Sequence, residues 1–478
     1  MILKGYIFGI LYALLCIAIA FVAYKLGMPK KFSRKAVHIL VGFEWVILSY
    51  YMKATYHFLI VCIFFLILLS VSYFKNLMPM ISSDSDNAPG TVYYAVAMTA
   101  MAIICLFNSS MLLPFGIGVF CTSLGDGFAG VFGQLIKKFN PKVFGNKTLI
   151  GMLANFIFSA GTAVVFKYAF NMGLEIWHCV MIGLFSVGLE VATGAGLDNI
   201  TITLGTAFLA YGFLNFSELS NYIIPIILTP FVISAVLDKK VLTKFALVGA
   251  VVMDVVITLL LGNFGFVILL SFLVGSVIID KIKKLRKGTP SVTKRDGDSR
   301  DTVQVLANGL IPSVLALMFG LSLNRVFIVA YVASLAEAFA DTAASGIGVF
   351  SKTTFDPFRR KKCVLGLSGG MSVLGTFASL VAAFALSFIS MLFGALDIKL
   401  VIIAAVAAFL GSVFDSFLGS TVQIKYQCRV CNEITEKEEH CRKYTNRYSG
   451  FYFFDNDVVN LFSSAFAGIL AAIIAAII

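Results

Sequence analysis

Charge is what this sequence has least of. Only 13% of its 478 residues are charged, against 59% hydrophobic, and the mean hydropathy is +0.94. Soluble domains carry about 25% charged residues, so a water-soluble globule of this length is excluded. No cleavable signal peptide is expected. Residues 4–26 are long enough to stay as a first span, and no small-residue cleavage site follows them. Nor is there a disulfide framework: five of the nine cysteines (Cys16, Cys62, Cys105, Cys121 and Cys179) fall in apolar runs, where cysteine behaves as a small hydrophobe.

What the sequence has instead is a series of apolar runs. Residues 5–26, 54–74, 245–261 and 264–279 approach or reach the roughly 20 residues that a helix needs to cross the hydrocarbon core. With little polar spacing between them, helices are the backbone solution that lipid allows, so an all-α polytopic membrane protein is expected. Basic residues gather between the runs, at 25–35, 137–147, 239–244, 281–300 and 352–362. That pattern assigns the net charge of +12 to cytoplasmic loops rather than to a nucleic-acid surface. Placing every basic cluster inside gives about 16 transmembrane helices with both termini outside.

The two halves repeat. A shift of 215 residues carries Gly125-Asp126-Gly127-Phe128-Ala129-Gly130-Val131-Phe132-Gly133 onto Ala340-Asp341-Thr342-Ala343-Ala344-Ser345-Gly346-Ile347-Gly348, with Asp, Ala and the last Gly in common. The same shift brings Lys147 to Lys362 and Gly151 to Gly366. Arg34-Lys-Ala-Val-His38 precedes the first copy and Arg300-Asp-Thr-Val-Gln304 the second; Asp198-Asn199 and Asp455-Asn456-Asp457 follow them. Equal sidedness makes the repeat parallel, as tandem duplication produces. The expected organisation is a membrane domain over 1–215, linking helices and a basic cytoplasmic loop over 216–299, and a second membrane domain over 300–478 with a Cys/His loop at about 421–455.

Chemistry is expected where charge enters a span, because an ionisable group there is costly. Asp126 and Asp341 sit among small residues that let helices approach closely and leave room for a ligand. The competing reading is helix packing with the Asp bonded to a neighbouring helix. Lys147 and Lys362 follow the two Asp residues across a basic loop. A carboxylate facing a lysine suits a nucleotide bound with Mg²⁺, although such lysines also serve as topology signals. Asp198 and Asn199, and Asp455, Asn456 and Asp457, add oxygen ligands at helix starts, where they are also good caps. Glu190 and Asp415 in the preceding spans would complete each carboxylate set. Arg34 and His38 share a helical face, fit to grip phosphate or accept a proton; Gln304 in place of His38 makes the halves chemically unequal. Cys428-x-x-Cys431 followed by His440-Cys441 reads as a zinc-ribbon-like structural Zn²⁺ site or as reduced thiols, and neighbouring His440 and Cys441 can both ligate only across a kink.

At these motifs the first half, through Arg34-Lys35-x-x-His38, Gly125-Asp126-x-x-Ala129, Lys147 and Asp198-Asn199, resembles the phytol kinase and dolichol kinase family. The second half resembles the integral-membrane family that includes plant phytyl-phosphate kinase. It does so through Gln304-Val-Leu-Ala-Asn308-Gly309, Ala340-Asp341-Thr342, Gly369-Gly370-x-Ser372, Gly411-Ser412-x-x-Asp415-Ser416 and Asp455-Asn456-x-x-x-Asn460. Gly346 stands where those relatives carry Glu, and Glu337, one turn before Asp341, is the expected substitute. The resemblance implies a bifunctional lipid kinase at the cytoplasmic membrane face, with CTP as phosphoryl donor, Mg²⁺ as cofactor and an isoprenoid alcohol and its monophosphate as substrates. A cytidylyltransferase acting on a lipid phosphate is the nearest alternative, and a secondary transporter the alternative of another class.

Overall fold

The computed structural model describes residues 1–75, 89–194, 196–285, 300–363 and 365–478. Most of the basic cluster at 281–300 lies outside them. The chain divides into two compact units, Met1–Lys239 and Lys240–Ile478; the 216–299 segment is shared between the two.

Met1–Lys239 opens with α1 (Ile2–Lys25), α2 (Lys30–Val41), α3 (Glu44–Met52), α4 (Tyr56–Lys75) and α5 (Gly90–Phe107). The next pass is composite: α6 (Leu112–Phe120), a wide π turn over Cys121–Asp126, then α7 (Gly127–Leu135). A short hairpin, β1 (Lys142–Phe144) and β2 (Lys147–Thr148), leads into α8 (Leu149–Ala169), α9 (Ile176–Ala192), α10 (Asp198–Asn215) and α11 (Ile223–Asp238). Thr148 starts α8 by accepting the Gly151 amide at 3.3 Å. The core is aromatic. Trp45 packs at 5.5 Å from Phe166, and Gly116 is needed there because a Cβ would come within 2.6 Å of both rings.

Lys240–Ile478 runs through α12 (Lys244–Lys284), α13 (Thr302–Ser322) and α14 (Val326–Gly348). α12 is two helices joined at Gly262, whose φ of 60° is a conformation that glycine adopts freely. The hairpin β3 (Thr354–Asp356) and β4 (Lys361–Cys363) precedes α15 (Val373–Leu392) and α16 (Ile398–Thr421). The loop before α17 (Asn456–Ile477) is folded: β5 (Lys425–Gln427) pairs with both β6 (Ile434–Thr435) and β9 (Asn446–Ser449), beside a hairpin of β7 (Glu439–His440) and β8 (Lys443–Tyr444). Its core is rich in alanine, with Ala330, Ala333, Ala336, Ala404 and Ala407 fully buried.

Both units turn apolar side chains outward and small polar ones inward, the arrangement that lipid favours. Phe107, Phe245 and Val373 are exposed, while Ser159, Thr203 and Ser463 are fully buried. Twelve described helices are long and apolar enough to cross a membrane, against the figure of about 16 expected. α12 counts once although it is kinked at Gly262, and the shorter apolar α9 is not counted, which accounts for two of the four. The protein is a multi-pass, all-α membrane protein.

The ungapped 215-residue register holds only in part. A Cβ on Gly133 would meet Thr148 Oγ1 at 3.0 Å and Gly151 Cα at 3.5 Å; on Gly348 it would meet Ser372 Oγ at 3.2 Å and Gly375 Cα at 3.5 Å. The contact of Gly151 therefore recurs at Gly375, not at Gly366, because the loop following α14 is longer than the one following α7. Along the chain Lys147 then corresponds to Met371, immediately before the capping Ser372, rather than to Lys362.

Candidate active site

Within Met1–Lys239 the polar motifs of widely separated segments meet around one cavity of about 540 Å³. α2 presents Arg34, Lys35 and His38 on one face, as spacings of three and four dictate. The Lys35 ammonium donates to Asp126 Oδ2 at 2.6 Å and to the Asp126 carbonyl at 3.1 Å. Gly130 has no side chain because the Lys35 methylenes occupy the place of a Cβ. His38 Nε2 lies 3.1 Å from the Thr122 carbonyl and 3.5 Å from Asp126 Oδ2. A carbonyl only accepts, so Nε2 carries the proton and Nδ1 is the ring's acceptor. The π turn is fixed from behind, where Thr122 Oγ1 bonds Thr203 Oγ1 at 2.7 Å.

Lys147 enters from β2. Its ammonium lies 2.9 Å from Glu190 Oε1 and 3.7 Å from Asp198 Oδ2. Burial works against the charged ammonium, but the carboxylates of Glu190, Asp126 and Asp198 outweigh it and hold Lys147 above the ordinary lysine range. Glu190 Oε2 accepts from Asn155 Nδ2 at 2.6 Å, and Asn155 Oδ1 accepts from Ser159 and Ser186 at 2.9 and 2.8 Å. Asn199 Nδ2 donates to the Gly90 and Gly196 carbonyls, at 3.1 Å each. Its Oδ1, by contrast, is buried at the cavity with no hydrogen-bond partner among the described residues.

Three carboxylates (Asp126, Glu190, Asp198) thus share a wall with three cations (Arg34, Lys35, Lys147). Such a set can exchange partners: phosphate oxygens take the cations while a divalent cation takes the carboxylates and the free amide oxygen of Asn199. Much of the remaining wall is apolar, including Ala13, Ile17, Leu48, Val61, Phe65 and Met98. Among its polar atoms, Glu44 Oε1 and Tyr94 Oη are buried and without a hydrogen-bond partner among the described residues.

Every first-half candidate residue therefore lines this cavity. Lys147 and Asp126 do not pair directly, since Lys35 occupies Asp126. Lys35 was the residue to find, three before His38 in the Arg34-Lys35-x-x-His38 motif. Asn155, Glu44 and Tyr94 carry no spacing signal.

In Lys240–Ile478 Gln304, Asp455, Asn456 and Asp457 share a described cavity, whose wall does not include Asp341, Asp415 or Lys362. Asp455 caps α17, its Oδ1 accepting the Asp457 and Val458 amides at 3.1 Å. Asp455, Asn456, Asp457 and Gln304 line a cavity of only about 70 Å³, closed by Tyr426, Glu436 and Glu438 of the folded loop. Asp415 Oδ2 accepts from Ser463 at 3.3 Å. Asp341 is half-buried on α14, and Lys362 is exposed on β4, outside the wall of the small cavity. Gly346 lies against Ile279, where a Cβ has no room, and the buried Glu337 packs on Gly411. The sulfur and nitrogen atoms of Cys428, Cys431, His440 and Cys441 all lie within 4.8 Å of one another. The kink needed at His440-Cys441 is present, with φ of 53° at Cys441 and 58° at Arg442.

The chain is 30% identical over 199 residues to an uncharacterized membrane protein of Synechocystis sp., covering 41% of this chain and 77% of that protein. It is 28% identical over 192 residues to the phytol kinase of the same organism (38% and 79%). With the chloroplastic protein VTE6 of Arabidopsis thaliana it shares 24% over 216 residues (44% and 58%). No solved structure matches it. The model of the integral membrane protein DUF92 family matches residues 227–468, half of the sequence, and the chain belongs to that family.

Proposed function

We propose that Met1–Lys239 is an isoprenoid-alcohol kinase that takes its phosphoryl group from CTP at the cytoplasmic membrane face. The observation that carries this reading is the division of one cavity wall into a charge-balanced set of ionic side chains and a long apolar stretch. An isoprenoid tail fits the apolar wall, and its hydroxyl then lies among Asp126, His38 and Lys35. The phytol kinase among the similar proteins supports the same reaction class. Arg34, Lys35 and Lys147 bind the nucleotide phosphates. Asp126, Glu190, Asp198 and Asn199 are the residues fit to hold Mg²⁺, which neutralises phosphate charge when bound. His38 accepts the alcohol proton as the γ-phosphoryl group moves from CTP to the alcohol oxygen and CDP leaves.

On the same reading Lys240–Ile478 phosphorylates the monophosphate. Asp341, Asp415, Asp455, Asn456 and Asp457 supply its metal-binding oxygens, and the exposed hairpin bearing Lys362 supplies cations. The test is purified protein in detergent with Mg²⁺, CTP labelled at the γ-phosphate and a panel of isoprenoid alcohols and monophosphates. Label in the lipid with release of CDP supports the kinase. Release of pyrophosphate turns the assignment to a cytidylyltransferase, and no consumption of CTP with any lipid removes both.

A further inference from the structure

The kinase reading leaves the thiol cluster between α16 and α17 unused. We propose that Cys428, Cys431, His440 and Cys441 bind one Zn²⁺ ion as a structural knuckle that fixes this loop. In a tetrahedral site with Zn–S near 2.3 Å and Zn–N near 2.0 Å, ligand atoms stand about 3.5–3.8 Å apart. Cys431 Sγ and Cys441 Sγ lie 3.5 and 3.4 Å from His440 Nδ1 and 3.9 Å from each other. A disulfide needs sulfurs about 2.05 Å apart, so the cluster is spread for an ion at its centre. The Val430 amide donates to Cys428 Sγ at 3.3 Å.

The backbone is arranged to the same end. Left-handed φ values outside glycine are uncommon, yet Asn432 (59°), Cys441 (53°) and Arg442 (58°) all adopt them around the cluster. Three sulfurs and one imidazole select a soft ion over Mg²⁺. Four protein ligands close the coordination shell, which makes the site structural rather than catalytic. Three thiolates, a neutral imidazole and Zn²⁺ leave one negative charge, and Arg429, Arg442 and Lys443 flank it in the chain.

The loop held in this way is a wall of the second unit's polar cavity. Lys425 donates to the Ser368 carbonyl at 2.7 Å, and Glu436 accepts the Ser368 amide at 3.0 Å. Tyr426, Glu436 and Glu438 then face Asp455, Asn456 and Asp457. The metal assignment stands whatever reaction the cavity performs.

Elemental analysis of the full chain, purified in detergent without chelator or metal-affinity resin, tests the assignment. About one zinc per chain is expected, falling below about 0.1 in Cys428→Ser/Cys431→Ser and unchanged in Cys363→Ser. Should the double variant not fold, differential alkylation of the wild-type protein decides. Cys428, Cys431 and Cys441 should resist the reagent until a chelator is added, and Co²⁺ should restore protection with a thiolate-to-cobalt absorption band. Zinc below about 0.2 per chain with those cysteines alkylating as free thiols would overturn the proposal, as would a Cys431–Cys441 disulfide in a non-reduced digest.

Discussion

Gly133 meets Gly151 beneath a capping Thr148 in Met1–Lys239, and Gly348 meets Gly375 beneath a capping Ser372 in Lys240–Ile478. That contact and its cap are alike in the two units. One residue before each cap they part: Lys147 in the first, Met371 in the second. They part again in the Arg34–His38 and Arg300–Gln304 segments, where Lys35 grips Asp126 but Asp301 caps α13 by accepting the Gln304 amide at 3.0 Å. The scaffold rests on steric contacts between small residues, which tolerate little change. The charge set rests on a few side chains at helix ends, which can be lost while the scaffold persists.

The largest expected effects come from the Lys35–Asp126 pair of the first unit. Asp126→Asn and Lys35→Met should each lower alcohol phosphorylation by about a thousandfold. Each leaves its partner's charge buried, at a cost of about 3–5 kcal/mol in stability. Asp301→Ala, which removes only a cap, should cost about 1 kcal/mol and leave alcohol phosphorylation intact. Label transfer to lipid and thermal unfolding in detergent measure both effects, and an equal loss of activity in all three variants would break the comparison.

A second substitution copies the second unit into the first. Lys147→Met should lower kcat/KM for the nucleotide by about a hundredfold while alcohol affinity, read as KM, stays near wild type. Loss confined to the alcohol would place Lys147 at the wrong end of the cavity.

Much of this site was legible in the sequence, because charge within an apolar span is a strong signal. Asp126 and Glu190 could be named for that reason, Lys147 from its place after Asp126 across a basic loop, Asp198 from the helix start, and His38 from its face shared with Arg34. Which carboxylate meets which lysine could not. The pairing of Lys35 with Asp126 depends on a π turn at Cys121–Asp126, held by Thr122 against Thr203, and side-chain contacts between distant helices leave no periodicity. Asn155 was silent for a similar reason: a neutral amide among serines in a span looks like helix-packing polarity until Glu190 is seen on it. In the second unit the 215-residue register pairs Gly151 with Gly366, but the contact that Gly133 makes with Gly151 is made by Gly348 with Gly375, after a longer loop. Sequence similarity of a lysine in a basic loop cannot reveal which residue precedes the next cap.

The shared scaffold can be tested symmetrically. A Cβ at Gly151 would lie 3.1 Å from the Ala129 carbonyl, and at Gly375 2.9 Å from the Ala344 carbonyl. Gly151→Ala and Gly375→Ala should therefore each destabilise by about 1–3 kcal/mol, seen as lowered thermal midpoints. A large effect in one unit and none in the other would mean that the two glycine contacts are not equivalent.

The smallest effect concerns what anchors the hairpin in each unit. In the first, neutral Asn140 does it, donating to the Gly133 and Ile136 carbonyls at 3.0 and 2.8 Å and accepting the Ile150 amide at 2.9 Å. In the second it is Asp356, whose Oδ1 accepts the Phe358 and Arg359 amides at 3.0 Å and whose Oδ2 accepts from Ser420 at 2.6 Å. Burial favours the neutral acid, but the Ser420 hydroxyl, the two amides and the Lys425 charge outweigh it and hold the carboxyl below the ordinary aspartate range. A depressed pKa stabilises the fold fully above the unfolded value, about 3.9, and that contribution is lost as pH falls through the folded value. Acidification below about pH 4 should then loosen the second hairpin by about 1 kcal/mol, while the Asn140 anchor has no group to titrate. Limited proteolysis with an acid-active protease reads this as faster cleavage within 352–372 and unchanged cleavage within 137–147. Asp356→Asn should remove the pH dependence. If both hairpins open together on acidification, the trigger lies elsewhere and Asp356 is no more than a neutral brace.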